Sequence, residues 1–322
     1  MSKRKIIILG AGLSGLSIAY HLQKLGRACQ IFEKEPEVGG LCRSQKINGF
    51  IFDCSGHLLH FKHRYTFNLI RNLLGNNLLE HRRSAWIYFH HRYTAYPFQA
   101  NLYGLPSTVI KECLLGFIHT LNNGKLKGKE NLTFLEWINQ TFGKGIAEHF
   151  MIPYNTKFWT LPLQKLTCEW LDGFIPVPSL SQILEGTIEK SQKQFGYNAQ
   201  FWYPKKGGIN QLPLALASQI KNLYPNCPIV QIDLAKKEIK MASGNRERFA
   251  LLISTIPLPE MSYLIRKIPK NIAAAFKNLK WNSIFNLNLG VERKSNNPWH
   301  WVYFPEKEFS FLVIGLTHNF SP

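Results

Sequence analysis

Lys5-Ile-Ile-Ile-Leu-Gly-Ala-Gly-Leu-Ser-Gly15 opens the chain, and Gln30-Ile-Phe-Glu-Lys34 lies one helix length later. Ile6–Leu9 reads as a short buried strand. Gly10, Gly12 and Gly15 form G-x-G-x-x-G where the next helix begins. Each glycine has its own reason. Gly10 permits the tight turn, Gly12 lets a pyrophosphate approach a backbone that has no Cβ, and Gly15 lets helix and strand pack closely. The N–H groups and positive dipole end of the helix face the phosphates. Glu33 ends a second strand, Ala28–Phe32, where a carboxylate accepts hydrogen bonds from a ribose diol. Strand, glycine turn, helix and acid at this spacing predict a βαβ unit that binds a dinucleotide.

Working outward, the helix is predicted over about Leu13 to Leu25. Leu13, Leu16, Ala19 and Leu22 share one face, and Gly26 is its stop. Ser2-Lys-Arg-Lys ahead of Ile6–Leu9 has the look of a leader. Polar Ser14, Ser17, His21 and Gln23 in the helix favour a first strand and helix instead. Asn48-Gly49 between Gln45–Ile47 and Phe50–Asp53 predicts a hairpin.

Residues 61–200 lack the glycine-turn pattern and read as mostly helical and aromatic-rich. Thr133-Phe-Leu-Glu136 and Ser179-Leu-Ser-Gln182 are capping boxes, for helices reaching about Phe142 and Gly196, and Gly143 marks an end or junction. Leu121 to Glu130 reads as an exposed loop. Beyond Tyr203 the pattern returns to α/β. A helix is expected over Leu212 to Leu223, then strands at Ile229–Asp233, Glu238–Met241 and Phe249–Ile256. A helix near Asn271–Leu279 and strands at Ile284–Val291, Trp299–Phe304 and Phe311–Ile314 complete the chain. The predicted fold is α/β, a discontinuous Rossmann-type domain (residues 1–60 plus 203–257) with an inserted, mainly helical α+β substrate domain (61–202 plus 258–322).

The 322 residues suffice for two domains. No apolar run reaches the length of a membrane span. Six scattered cysteines without a C-x-x-C pair read as reduced thiols in a cytoplasmic protein. A net charge of +19 is read first as a solvated basic surface. After that come attraction of anionic ligands and weak association with an anionic membrane face. Nucleic acid is not expected as a partner, because the basic residues are spread out and no nucleic-acid module is present. Oligomeric state is left open. Cys54, His57, His60 and His63 have a spacing that suits zinc on a helix, but Ile51–Cys54 reads as strand, so no metal is expected.

The doublet Gly39-Gly40, then Leu41-Cys-Arg-Ser44, lies just after Glu33. Gly49-Phe-Ile-Phe-Asp53, Ser55-Gly-His-Leu-Leu-His60 and Tyr96-Pro-Phe-Gln-Ala-Asn101 come next. Tyr154-Asn-Thr-Lys-Phe-Trp159, Tyr203-Pro-Lys-Lys-Gly-Gly208 and Ser254-Thr-Ile-Pro257 complete an ordered series. In order and spacing the series resembles the FAD-dependent amine-oxidase superfamily, in the branch of the UDP-galactopyranose mutases and protoporphyrinogen-oxidase-like proteins. The resemblance implies that Gly10, Gly12, Gly15, Glu33, Gly39, Gly40 and Arg43 hold FAD, with Leu13, Ser14, Lys34, Leu41 and Val230 beside them. Gly56 and His57 match a segment that lies against the flavin ring in the mutases. A pair of core histidines at His57 and His60 is an equal alternative. The resemblance also implies that Tyr96, Phe98, Asn101, Tyr154, Lys157 and Trp159 line the substrate cleft. A packed aromatic core is the alternative at Trp159.

Two departures qualify what is carried over. The mutases place arginines around an Ile-Pro-Val segment to hold a pyrophosphate, and Phe174 and Pro178 stand there in this chain. Lys165, Lys205 or Lys206 are the substitutes the sequence offers. The sequence also stops at Pro322, where the family continues with a segment that closes the flavin site. A partly open site is therefore expected. The implied function is an FAD-dependent oxidoreductase, with hydride passing between substrate and flavin N5. The alternatives are a mutase-like enzyme that works on a nucleotide sugar through reduced flavin, and a truncated flavin-binding protein without activity. No catalytic residue is assigned.

Overall fold

The computed structural model describes residues 5–122, 132–171, 173–190 and 199–321. The chain divides into two compact units. One holds the residues up to Leu79 with Trp202–Glu292 and Ser321, and the other holds Glu80–Phe201 with Arg293–Phe320. These limits differ from those expected at residues 60 and 257. The helix Arg64–Leu74 packs Ile70, Leu73 and Leu74 into the core of the first unit. The helix Leu258–Leu264 adds Met261 and Leu264 to that unit's other apolar cluster.

The first unit is built on a parallel sheet in the order Leu251–Ser254, Ile6–Leu9, Cys29–Phe32, Leu223–Tyr224. Ile6 pairs with both Leu251 and Cys29. The apolar run of the first strand is explained by cover on both faces. Ile8 and Ile31 face Leu16, Ala19 and Leu212, whereas Ile7, Leu9 and Phe32 face Ile232, Ile239 and Met241. The helix Leu13–Lys24 makes the crossover from first to second strand. A three-stranded antiparallel sheet, Ile229–Asp233, Glu238–Met241 and Arg246–Arg248, belongs to the same unit. So does the hairpin Ser44–Ile47/Phe50–Asp53, turned by Asn48 and Gly49 at φ 49° and 85°.

The second unit has its own sheet, in the order Val313–Gly315, Trp301–Tyr303, Ala85–Phe89, Arg92–Ala95. Its core joins Ile87, Phe89, Phe98, Phe134, Trp137, Ile138 and Phe142. The helices Phe134–Ile146 and Leu180–Ile188 begin at the expected capping boxes on Thr133 and Ser179. At Gly143 the first of these kinks (φ 72°, ψ 170°), and a Cβ there would meet the Gly116 carbonyl oxygen at 2.1 Å. The glycine therefore lets this helix touch the helix Ser107–Asn122 backbone to backbone.

Several expected elements differ. The segment read as mostly helical contains the hairpin Ala85–Phe89/Arg92–Ala95, whose Ala-Trp-Ile-Tyr-Phe strand buries alternate residues. The helix expected to reach Leu223 stops at Ala217. Leu223–Tyr224 is instead captured as a sheet edge, where Ile31 N–H donates to Asn222 O and Glu33 N–H to Tyr224 O. The helix from Ser179 ends at Ile188, well before Gly196, and residues 191–198 lie outside the described ones. Most of the loop expected over Leu121 to Glu130 also lies outside them. Ile284–Val291, expected as a strand, is in no sheet, and Phe285 is 91% exposed. The six cysteines are free thiols.

Candidate functional site

The glycine turn ends the first strand. Gly10 takes φ +92°, and its N–H donates to Phe32 O at 2.9 Å, which ties the turn to the second strand. Thr255 completes the turn from the third side. Its Oγ1 lies 2.9 Å from Leu9 O and 3.2 Å from Gly10 O. A Cβ on Gly15 would meet Gly10 O at 2.0 Å, whereas one on Gly12 would meet only Gly40 Cα, at 4.0 Å. Gly15 is thus filled by protein and Gly12 faces open space. No side chain caps the helix that starts there, so the first-turn N–H groups beside Leu13 and Ser14 remain directed at that space.

Glu33 is 7% exposed and fixed from both sides. Its Oε2 accepts from Ala11 N–H at 2.6 Å and its Oε1 from Glu35 N–H at 3.0 Å. Each oxygen keeps a second lone pair, so the carboxylate is pinned next to the glycine turn and still able to accept. Gly39 and Gly40 (φ +114° and +58°) form a second glycine strand against the first, with Gly39 N–H donating to Ala11 O at 2.8 Å. A Cβ on Gly40 would come to 3.3 Å from Gly12 Cα. Arg43 Nε donates to Gly40 O at 3.0 Å and its Nη1 lies 3.5 Å from Glu35, so the guanidinium buttresses the doublet. Leu41 is exposed, and Lys34 pairs with Glu260 at 3.6 Å on the surface. Val230 sits where the strand register slips between Ile229 and Gln231, leaving it without a partner in the ladder. The backbone donor and acceptor of such a residue are left unpaired in the ladder.

Gly56 is exposed, with open space at its Cα. His57 Nδ1 lies 3.1 Å from Ser55 O, a contact in which Nδ1 is the donor. Beneath this stretch is a hub that residue types alone do not reveal. Asp53 accepts from Ser44 Oγ at 2.6 Å, Tyr203 OH at 2.5 Å and Ile209 N–H at 3.1 Å. Burial above all, and then the Asp53 carboxylate, push the Tyr203 phenol well up. Gly208 is required beside it, since a Cβ would meet Ser44 Oγ at 2.4 Å. Tyr203-Pro-Lys-Lys-Gly-Gly208 carries part of the signal, but the carboxylate it packs on lies 150 residues away.

In the second unit the expected substrate residues separate. Phe98 is fully buried and stacked on Phe150 (4.9 Å, 6°), so it lies in the core. Lys157 Nζ donates to the carbonyls of Phe304 (2.9 Å), Glu306, Phe309 (2.7 Å) and Phe311 (3.3 Å). Its three protons are spent on this strap, so the ligand contact expected of Lys157 has no donor left to make it. Asn101 is 3% exposed and donates to Pro97 O at 2.9 Å, while its Oδ1 has no partner. Trp159 packs edge-on to Trp170 and Phe158. Tyr96 and Tyr154 are instead brought together around Tyr303, at ring distances of 5.4 and 5.6 Å. Arg83 stands among them, with its Cζ 4.7 Å over the Tyr96 ring and its Nη2 donating to Tyr303 OH at 2.9 Å. Burial first, reinforced by Tyr303 and Tyr96, holds the Tyr154 phenol well above its usual range, with Arg83 pulling the other way. Neither Arg83 nor Tyr303 carries a motif that would single it out in sequence.

The donor set in the first unit fits FAD. Gly12 leaves a cradle that a Cβ would fill, uncapped helix N–H groups suit a pyrophosphate, and the pinned Glu33 suits a ribose. Among the described residues no group of three or more His, Cys, Asp or Glu side chains could hold a metal ion.

Comparison with known proteins bears on the family and the fold. A crystal structure of reduced UDP-galactopyranose mutase superposes with a TM-score of 0.89 at 25% identity, over 100% of this chain and 70% of that one. The UDP-galactopyranose mutase of Mycoplasma pneumoniae is 22% identical over 252 residues, 75% of this chain and 59% of the relative. The coproporphyrinogen III oxidase of Bacillus subtilis is 19% identical over 321 residues, 91% of this chain and 68% of the relative. The chain thus spans less than two thirds of the Mycoplasma enzyme's length. Residues 13–318 match the profile described as flavin containing amine oxidoreductase. The chain belongs to that flavin-containing amine oxidoreductase family, with FAD as its cofactor.

Proposed function

We propose that the chain is an FAD-dependent oxidoreductase acting on a small molecule. In this reading the first unit carries the cofactor and the second carries the substrate. The observation that supports it most is the paired glycine strands at Gly12 and Gly39–Gly40 with Glu33 pinned beside them. When bound, the flavin supplies a centre that takes or returns a hydride. The protein's own part is placement. Gly12 and the first-turn N–H groups hold the pyrophosphate, Glu33 holds the ribose, and Val230 offers its backbone to the base. Arg43 fixes the doublet in place through Gly40 O. His57 lies on the same unit and is oriented through Ser55. No helix among the described residues is long and apolar enough to cross a membrane. A cytoplasmic location is part of the proposal, and the six free thiols support it.

A second reading, a mutase-like reaction on a nucleotide sugar, is supported by the likeness to reduced UDP-galactopyranose mutase over the whole chain. Two assays separate the readings. Anaerobic mixing of the oxidised holoprotein with amines, sugars and polyenes should bleach the flavin absorbance with one class. Incubating the reduced holoprotein with UDP-galactopyranose and finding the furanose would sink the oxidoreductase reading in favour of the second. Protein that takes up no FAD at all would sink both.

A further inference from the structure

Among the described residues, Arg83 is paired with no carboxylate. It makes one side-chain hydrogen bond, to Tyr303 OH at 2.9 Å. Its Cζ lies 4.7 Å over the Tyr96 ring and 5.7 Å over the Trp301 ring. Lys157, the cation of the Tyr154–Trp159 motif, is consumed by backbone carbonyls. His300 is held neutral, its pKa pushed down to about 4 by burial, with His81 and Arg83 adding to the effect. A guanidinium has five donors in a planar fork. The donors of Arg83 that Tyr303 does not use are not among the buried unpaired side-chain atoms, so they are open to solvent and can take an oxyanion partner in charge-assisted hydrogen bonds. Three phenols surround Arg83, those of Tyr96, Tyr154 and Tyr303, and that of Tyr154 is kept protonated by its surroundings.

We propose that Arg83, with Tyr303 and Tyr154, forms an oxyanion subsite that binds the phosphate or carboxylate group of the substrate. The cluster is complete within the second unit. The inference rests on reading the second unit as the substrate-bearing one. It is independent of the flavin chemistry.

The test is direct binding to the holoprotein, without turnover. UDP, inorganic pyrophosphate and glutarate are titrated separately, with the fluorescence of Trp301 and its neighbours as signal. Wild type is compared with Arg83→Lys and Arg83→Met. At least one probe should bind, with Arg83→Met weakening it at least tenfold, or about 1.4 kcal/mol. Arg83→Lys should weaken it less, because the charge stays and the fork is lost. UDP and pyrophosphate binding together names a diphosphate, and glutarate alone names a carboxylate. A second measurement uses wild type only. Phenylglyoxal modification of Arg83, mapped by mass spectrometry, should be suppressed by the bound probe. Equal affinity in Arg83→Met, undiminished modification under saturating probe, or no binding of any of the three would overturn the subsite. A protein that shows the Arg83-dependent binding yet never changes its flavin spectrum would refute the proposed function and leave the subsite standing.

Discussion

Gly12 and Gly15 lie three residues apart in one turn, and the structure assigns them opposite responses to the same methyl group. Gly15 is in the first turn of the helix, where replacing glycine by alanine gains up to about 1 kcal/mol of helix propensity. Its Cβ would nevertheless sit 2.0 Å from Gly10 O and 2.9 Å from Thr255 Oγ1. The first contact is with backbone and cannot rotate away. Overpacking of this kind costs roughly 1–3 kcal/mol even where side chains yield, so Gly15→Ala should lower stability by about 2 kcal/mol or more despite its better propensity. Gly12 has φ −69° and ψ 176°, ordinary extended backbone, and its Cβ would meet nothing nearer than 4.0 Å. There the entropic gain of alanine, about 0.4–1 kcal/mol, is offset by its poorer performance at a helix N-cap. The net effect on folding is near zero. The methyl instead fills the space through which the pyrophosphate must approach, and a similar overlap of about 1–3 kcal/mol weakens FAD roughly 5- to 150-fold. Urea unfolding of the deflavinated proteins reads the first effect. Quenching of flavin fluorescence on reconstitution reads the second. FAD affinity in Gly12→Ala within twofold of wild type, or a stability loss matching that of Gly15→Ala, would contradict the two opposite assignments.

Lys157→Met should cost about 3 kcal/mol of stability, because it removes charged donors from carbonyls that then lose their partners. FAD affinity should be unchanged, and a drop in FAD affinity with full stability would contradict the assigned strap role. Asp53→Asn keeps the shape but leaves Tyr203 OH or Ser44 Oγ facing an NH2 group, with an expected loss of about 2 kcal/mol measured by urea titration. His300 binds its proton near pH 4, against 6.5 when unfolded, chiefly because it is buried. Between those values the unfolded chain holds more protons, so stability falls as pH drops from 6.5 toward 4, by up to about 3 kcal/mol. The unfolding midpoint over that range should slope less in His300→Asn, which keeps an acceptor for Ser84 N–H. An unaltered slope would point to another group.

Much of the cofactor side is legible in the sequence because its determinants are local. A glycine needed for φ +92° at Gly10, or for a backbone approach at Gly12, leaves the same mark in sequence as in space. Hairpin and capping boxes are local in the same way, and Asn48-Gly49, Thr133 and Ser179 turn and cap where their residue types place them. Leu223–Tyr224 has the pattern of a helix end and becomes a strand, because its fate depends on hydrogen bonds to a strand nearly two hundred residues earlier. Phe98 has the motif of a ligand contact and becomes core, because an aromatic residue carries no label saying which of its neighbours it will bury.

Consecutive residues are enough to dictate the βαβ turn and the acid beside it, and hence the class of cofactor. Those features depend on backbone conformation and spacing. Which polar side chains are already committed is settled by long-range packing alone. Lys157 is spent on the carbonyls of residues 304–311, and Asp53 on Ser44, Tyr203 and Ile209. Arg83 is left among tyrosines with donors to spare. A charge is available or consumed according to the groups that the tertiary fold sets within about 3 Å of it, and residue type records none of them.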